Sequence, residues 1–201
     1  MSIFRKIFNS IKDTSTEVKE HEIAVNQSDN SDLPVDERFT FNFKKNGGKF
    51  LYCENISELN EQFENILEEN DWFESEALCY ESNLFSLLQN NNIIFENIRK
   101  PVFLLTSCES LIAEDGSIMF SSNQIKQFKP AELPENIVLV TTTSKIVETK
   151  SDGLRKIKHK YTTDYPTNIT TIKYFEKTKE EDFLHYGSTQ INLYLLLLED
   201  F

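Results

Sequence analysis

Two adjacent carboxylates sit in a turn between apolar segments, within the stretch ESLIAEDGSIMFSS at residues 109–122. Gly116 follows them, and glycine adopts positive φ without strain, so the backbone here can approach a ligand closely. If the apolar residues on either side bury Glu114, its protonated form is favoured and the carboxyl suits acid–base chemistry near neutral pH. Glu114 is therefore the candidate catalytic carboxylate of this turn.

The same turn also admits a structural role, which is the commoner one for a hydrogen-bonded carboxylate. Glu114 can accept hydrogen bonds from backbone N–H groups and so fix the turn, while Asp115 points into solvent. The sequence alone leaves both the catalytic and the structural interpretation standing.

A cluster of basic residues occurs at residues 155–160, RKIKHK. Such a cluster, with His159 in it, can hold an anionic ligand such as a phosphate or a CoA tail. It is also typical of the solvated face of a surface helix. We therefore predict a helix here and keep a small anionic ligand as one interpretation.

The cysteines Cys53, Cys79 and Cys108 are three in number and include no C-x-x-C pair. This pattern favours reduced thiols in a cytoplasmic protein over a disulfide framework, a zinc site or an iron–sulfur site. The five glycines form no nucleotide-binding loop. We predict no metal and no cofactor, and we leave open whether the chain is an enzyme.

The chain has 201 residues and a formal net charge of −12, which opposes general affinity for nucleic acid. Its longest apolar run, LYLLLL near the end, is far shorter than the roughly 20 residues that cross a bilayer, so a membrane role is not expected. With 39% hydrophobic residues the chain can form one domain with a sizeable core.

Three segments differ in composition. Residues 1–13 have apolar residues at helical spacing and predict an amphipathic helix. Residues 14–37 are polar and lack aromatics, which predicts a flexible linker, and residues 38–201 form the folded domain. The tethered helix could dock on its own domain, on a partner protein or on a membrane surface, and its three basic residues give the membrane the least support.

Helical and strand patterns alternate along the domain. Helices are predicted near residues 38–46, 56–70, 81–91 and 151–161, and strands near 49–53, 77–80, 93–95, 137–143, 168–175 and 191–198. A further strand pattern follows the turn at Gly116. This alternation indicates an α/β layer fold with a mostly parallel sheet.

The stretch LTSCESLIAEDGSIMFSSNQ, with LPENIVLVTTTSKIV after it, resembles the LUD (lactate utilization, formerly DUF162) domain family. That family typically shows T-x-A-x-x-x-I-A-E-T-G-[TS] in the first motif. The matching residues are Thr106, Ile112, Ala113, Glu114, Gly116 and Ser117, with Asp115 in place of a Thr. In the second block they are Pro134, Ile137, Val138, Val140, Ser144, Lys145, Ile146 and Val147.

The second half departs from the family pattern. YPTNITTIK stands where members show GPSxTxDIE, and it keeps Pro166, Thr167 and Ile172. LHYGS stands where members show GvHGP; it keeps Gly187, and His185 or Tyr186 takes the place of the motif's His. These departures leave any catalytic activity open.

The resemblance implies a three-layer α/β fold akin to the sugar-phosphate isomerases and CoA transferases, with a cleft at the carboxyl ends of the strands. It implies catalytic roles for Glu114 and His185. The implied cleft residues are Thr106, Asp115, Gly116, Ser117, Thr167 and Gly187.

For function, the resemblance implies an accessory component of lactate utilization that acts with iron–sulfur partner proteins as L-lactate is oxidised to pyruvate. The alternative is a non-catalytic module that senses a ligand or binds a protein. A third reading, an isolated enzyme of the CoA-transferase or isomerase type, requires Glu114 in an open pocket.

Overall fold

This computed structural model describes residues 33–175 and 191–200. A five-stranded parallel sheet crosses the protein, with strands β1 (Lys49–Cys53), β2 (Ala77–Leu78), β3 (Phe103–Thr106), β6 (Asn136–Thr142) and β9 (Asn192–Leu198). Their order across the sheet is β1-β9-β6-β3-β2. β3 and β9 read as continuous apolar runs because a parallel sheet is covered on both faces. The predicted α/β fold with a mostly parallel sheet is confirmed.

A second, four-stranded sheet has the order β7-β4-β5-β8. Its strands are β4 (Ser110–Ile112), β5 (Ser117–Ser121), β7 (Ile146–Val147) and β8 (Ile169–Ile172). β4 and β5 form an antiparallel hairpin, and β5 pairs antiparallel with β8. Sequence patterns did not separate this sheet from the first, because β4 and β5 are buried on both faces and so show no polar alternation.

Five α-helices lie within the described residues: α1 (Val35–Lys45), α2 (Ile56–Asn70), α3 (Phe85–Asn90), α4 (Ser122–Ile125) and α5 (Lys150–Lys160). A 3₁₀ turn, Ser82–Leu84, leads into α3. α2 packs Leu59, Phe63, Ile66 and Leu67 inward, as its spacing predicts, and the side chain of its N-cap Asn55 accepts a hydrogen bond from Glu58 N–H. Within this part of the chain, none of the helices combines the length and apolar character needed to cross a membrane.

Two predictions about element boundaries differ from the structure. No strand forms at residues 93–95; Ile94 makes a single bridge to Glu76. Asn92 and Asn97 on either side have φ of 54°, and such turn conformations leave too few extended residues for a strand. α1 begins at Val35, inside the predicted linker, and residues 1–13 lie outside the described residues.

α1 covers the turn that joins β4 to β5. Asn42 Nδ2 donates to the Ala113 carbonyl at 2.9 Å, and Asn46 Nδ2 donates to the Asp115 carbonyl at 2.7 Å. Gly116 has φ of 69°, and a Cβ built on it would lie 2.4 Å from the backbone of Asn42. The turn therefore requires glycine at this position for two reasons, its backbone conformation and the closeness of α1.

We expect Gly116→Ala to lower the free energy of unfolding by about 3 kcal/mol, because the new methyl is strained at positive φ and collides with α1 backbone. Urea denaturation measures this loss. Glu114→Ala in the same turn is the control, since Glu114 is exposed and its loss is expected to change stability by less than about 0.5 kcal/mol. Equal stability of Gly116→Ala and the native protein would contradict the close approach of α1.

Candidate functional site

Polar side chains follow three neighbouring strands of the parallel sheet just beyond their carboxyl ends. Glu109 follows β3, Ser144 and Lys145 follow β6, and Asp200 follows β9. Because parallel strands end at the same edge, the topology brings these side chains to one side of the molecule. Ligands of open α/β sheets bind outside this edge.

Glu109 is buried, with 3% of its surface exposed, and its carboxylate accepts four hydrogen bonds. Oε1 accepts from Ser121 Oγ at 2.8 Å, Gln124 Nε2 at 3.0 Å and the Tyr161 hydroxyl at 2.8 Å. Oε2 accepts from Lys160 Nζ at 3.0 Å. A buried carboxylate with this many donors is stabilised in its charged form.

The protonation states of Glu109 and Lys160 follow from the hydrogen bonds among Glu109, Ser121, Gln124, Lys160 and Tyr161, which together form the Glu109 cluster. Burial raises the pKa of Glu109, but the hydrogen bonds from Tyr161, Ser121, Lys160 and Gln124 outweigh it and hold the pKa below its usual 4.5. Burial lowers the pKa of Lys160, but the bonds to Tyr161 and Glu109 outweigh that effect and hold it above 10.5. Glu109 is therefore a carboxylate and Lys160 an ammonium at neutral pH, which excludes Lys160 as a neutral amine nucleophile.

Helix α5 carries two lysines to this cluster. Its first turn is closed by a capping box in which Thr149 Oγ1 accepts from Asp152 N–H. Gly153 lets the helix lie against the second sheet, since a Cβ there would be 3.2 Å from the sulfur of Met119. Ile157 packs into the same small core, and Lys156 and Lys160 border the cavity beside it.

A cavity of about 260 Å³ opens between α5 and the strand ends. Its lining residues are Glu109, Ser144, Lys145, Lys156, Ile157 and Lys160. Lys156 Nζ donates to the Ser144 carbonyl at 2.9 Å, and Lys145 is half-buried. Three lysines and one buried carboxylate thus line the same cavity, an arrangement that suits an anionic ligand.

Asp200 fixes the wall formed by Ser144. Its Oδ1 accepts from Thr143 Oγ1 at 2.8 Å and from Ser144 N–H at 3.0 Å, and its Oδ2 accepts from Ser144 Oγ at 2.6 Å. Burial alone raises the pKa of Asp200, but the bonds from Ser144 and Thr143 lower it to about 2. The Ser144 hydroxyl donates to Asp200, so Thr142 Oγ1, 3.0 Å away, donates to it, and one acceptor position is left on Ser144 Oγ.

The turn singled out by the sequence has a different arrangement from the one expected. Glu114 is exposed, so the burial that would suit it to acid–base chemistry is absent. Asp115 instead holds the turn: it accepts from Ser117 N–H at 3.1 Å and pairs with Lys150 at 2.8 Å. Burial raises the pKa of Asp115, and the bonds from Lys150 and Ser117 outweigh it and lower that pKa.

The other predicted site residues are dispersed. Thr106 is buried at the end of β3 and donates to Glu81 at 2.9 Å. Thr167 is exposed and accepts from Gln127 Nε2 at 2.6 Å. His185 and Gly187 lie outside the described residues. Of the predicted residues that the structure describes, none lines the cavity.

Glu109 was not predicted as a site residue, although it lies in the quoted motif. The signal available in the sequence was a lone carboxylate between two apolar runs, FLLTSC and SLIA. The basic run at residues 155–160 left a small anionic ligand open as one interpretation. Its Lys156 and Lys160 line the cavity, whereas its His159 is exposed and does not line it.

Cys108 is buried near the end of β3, and burial raises the pKa of its thiol to about 12. A thiol in that state is a poor nucleophile. Among residues 33–175 and 191–200, no group of three or more His, Cys, Asp or Glu side chains could hold a metal ion.

Comparison with known proteins decides the family. The LUD domain family matches residues 37–198. The chain belongs to the LUD domain family. This family is associated with lactate utilization.

A solved structure supports the fold of this LUD domain. The crystal structure of a DUF162 family protein from Deinococcus radiodurans is similar to it with a TM-score of 0.58 and 12% identity. The similarity covers 83% of this chain and 96% of the other. Comparison of this chain with curated proteins found no match.

We expect Glu109→Gln to lower the free energy of unfolding by about 2 kcal/mol at pH 7, because it leaves Lys160 and its neighbours without their anion. The folded-state pKa of Glu109 is lowered, so its contribution is present above pH 4.5 and is lost as pH falls through the folded-state value. Urea denaturation should therefore show the difference between variant and native protein shrinking from pH 7 towards pH 3.

The exposed Glu61 on α2 provides the matched control. Glu61→Gln removes the same charge from a solvated site and is expected to change stability by less than about 0.5 kcal/mol. A pH-independent difference for Glu109→Gln would contradict the ionised, hydrogen-bonded state of this carboxylate.

Proposed function

We propose that this LUD domain is an accessory component of lactate utilization that binds a small organic anion in the cavity beside Glu109. It acts with iron–sulfur partner proteins in the oxidation of L-lactate to pyruvate. The observation that supports the proposal is the cavity itself, which Lys145, Lys156 and Lys160 line together with the buried carboxylate of Glu109.

The charge of the cavity contrasts with that of the chain. The formal net charge is −12, and the run from residue 54 to residue 98 contains carboxylates but no Lys or Arg. Three lysines at one concave place in such a chain attract an anion locally while most of the surface repels it. Organic acids are the anions that lactate utilization handles.

The need for partners follows from the electron count of the reaction. Oxidation of lactate to pyruvate releases two electrons and two protons, which an acceptor must take. The chain has three cysteines, fewer than the four thiolates that hold a typical iron–sulfur cluster. A partner that carries such clusters would supply the acceptor, and the present chain would bind and present an anion to it.

Genetic complementation tests the proposal. In the parent organism, deletion of this protein is expected to slow growth on L-lactate as sole carbon source, and the native full-length chain should restore it. The double variant Lys145→Gln, Lys156→Gln should fail to restore growth, because it removes two of the three cavity charges. Lys158→Gln on the same helix, which does not line the cavity, should restore growth fully.

Two results would overturn parts of the proposal. Unchanged growth after deletion would show that the protein has no role in lactate utilization. Full restoration by the double variant, combined with no restoration by a chain lacking residues 1–13, would favour a module that acts by binding a protein.

A further inference from the structure

The charges around the cavity set what can bind there. Lys145, Lys156 and Lys160 contribute three positive charges, and Glu109 cancels one of them. Two further carboxylates interact with residues of the cavity wall without lining the cavity: Asp200, whose oxygens accept hydrogen bonds from Ser144 and Thr143, and Asp152, which interacts electrostatically with Lys156. The residues that line the cavity carry three positive charges and one negative charge, an excess of two.

The unused hydrogen-bonding capacity of Glu109 sets a second requirement for a ligand of this cavity. Oε1 already accepts from three donors, whereas Oε2 accepts from Lys160 alone among the described residues. A carboxylate oxygen has two acceptor positions, so Oε2 can accept one more hydrogen bond. Ser144 Oγ on the neighbouring wall can also accept. A ligand that satisfies these atoms must carry a donor, and a hydroxyl is the uncharged donor of organic acids.

The volume gives a third constraint. About 260 Å³ corresponds to the liquid volume of roughly eight or nine water molecules. A three-carbon monocarboxylate such as lactate fills only part of this space. A four-carbon dicarboxylate, or a three-carbon alcohol that carries a phosphate, matches it more closely.

We propose that the natural ligand of this cavity is a compact hydroxylated dianion, whose two negative charges face the three lysines and whose hydroxyl donates to Glu109 Oε2. This inference rests on the proposed function and deepens it. The anion bound in this cavity would then be a metabolite other than lactate itself. The second charge is a carboxylate or a phosphate monoester.

Isothermal titration of the full-length protein with matched anions tests this inference. L-malate and glycerol 3-phosphate are the hydroxylated dianions, succinate is a dianion without the hydroxyl, and L-lactate is a hydroxylated monoanion. We expect at least one of the first two to bind at least tenfold more tightly than L-lactate. We also expect L-malate to bind at least fivefold more tightly than succinate if the second charge is a carboxylate.

Variants of cavity residues show whether the preference for hydroxylated dianions over L-lactate arises in the cavity. Lys145→Gln should reduce the ratio of dianion to lactate affinity, whereas Lys158→Gln should leave it unchanged. If the second charge is a carboxylate, Glu109→Gln should bring the affinities of L-malate and succinate together. If it is a phosphate, the same variant should lower the affinity of glycerol 3-phosphate towards that of inorganic phosphate. Thermal unfolding of each variant shows whether it is folded, and the Lys145 variant tests the inference even if Glu109→Gln does not fold.

The outcomes separate this inference from the proposed function. A preference for L-malate identifies the second charge as a carboxylate, and a preference for glycerol 3-phosphate identifies it as a phosphate. L-lactate binding as tightly as both dianions would overturn the inference while the lactate role stands. Binding of none of these anions would overturn both the dianion inference and the anion site of the proposed function, and growth on lactate would then be the remaining test of the accessory role.

Discussion

The structure around the cavity depends on one buried carboxylate. Glu109 joins three segments that are separate in sequence: the connection after β3, the start of α4 through Ser121 and Gln124, and the end of α5 through Lys160 and Tyr161. Burying a charge is unfavourable by several kcal/mol unless donors replace the lost water. Four donors replace it here, so these segments hold one another in place, and the position of the lysines relative to the strand ends follows from that arrangement.

Charges of opposite sign lie on helices that pack against different sheets. α2, with its outward carboxylates, contacts β1 and β9 of the parallel sheet, whereas α5, with its lysines, contacts β4 and β7 of the second sheet. The cavity forms where the two sheets approach each other, between α5 and the carboxyl ends of β3 and β6. Within the described part of the chain, this separation places lysines at a concave surface of a protein whose net charge is negative.

The family motif at residues 113–117 serves packing in this LUD domain. Gly116 allows α1 to lie directly on the turn, and Asp115 bonds to Ser117 and pairs with Lys150 at the start of α5. The motif thereby fixes the position of α5 from its first turn, while Glu109 fixes it from its last. Glu109, which lines the cavity, and the motif residues lie at opposite ends of β4, because β4 runs from Ser110 to Ile112 between them.

The sequence by itself determined the parallel sheet, the main helices and the family, because continuous apolar runs, amphipathic spacing and motif letters are local properties. It left a small anionic ligand at residues 155–160 open as one interpretation, without indicating which distant residues lie beside that run. Only the tertiary structure decided that Lys160 meets Glu109, 51 residues away, and that Glu114 points outward. A single carboxylate carries no periodicity, so whether it is buried depends on which distant donors the fold brings to it.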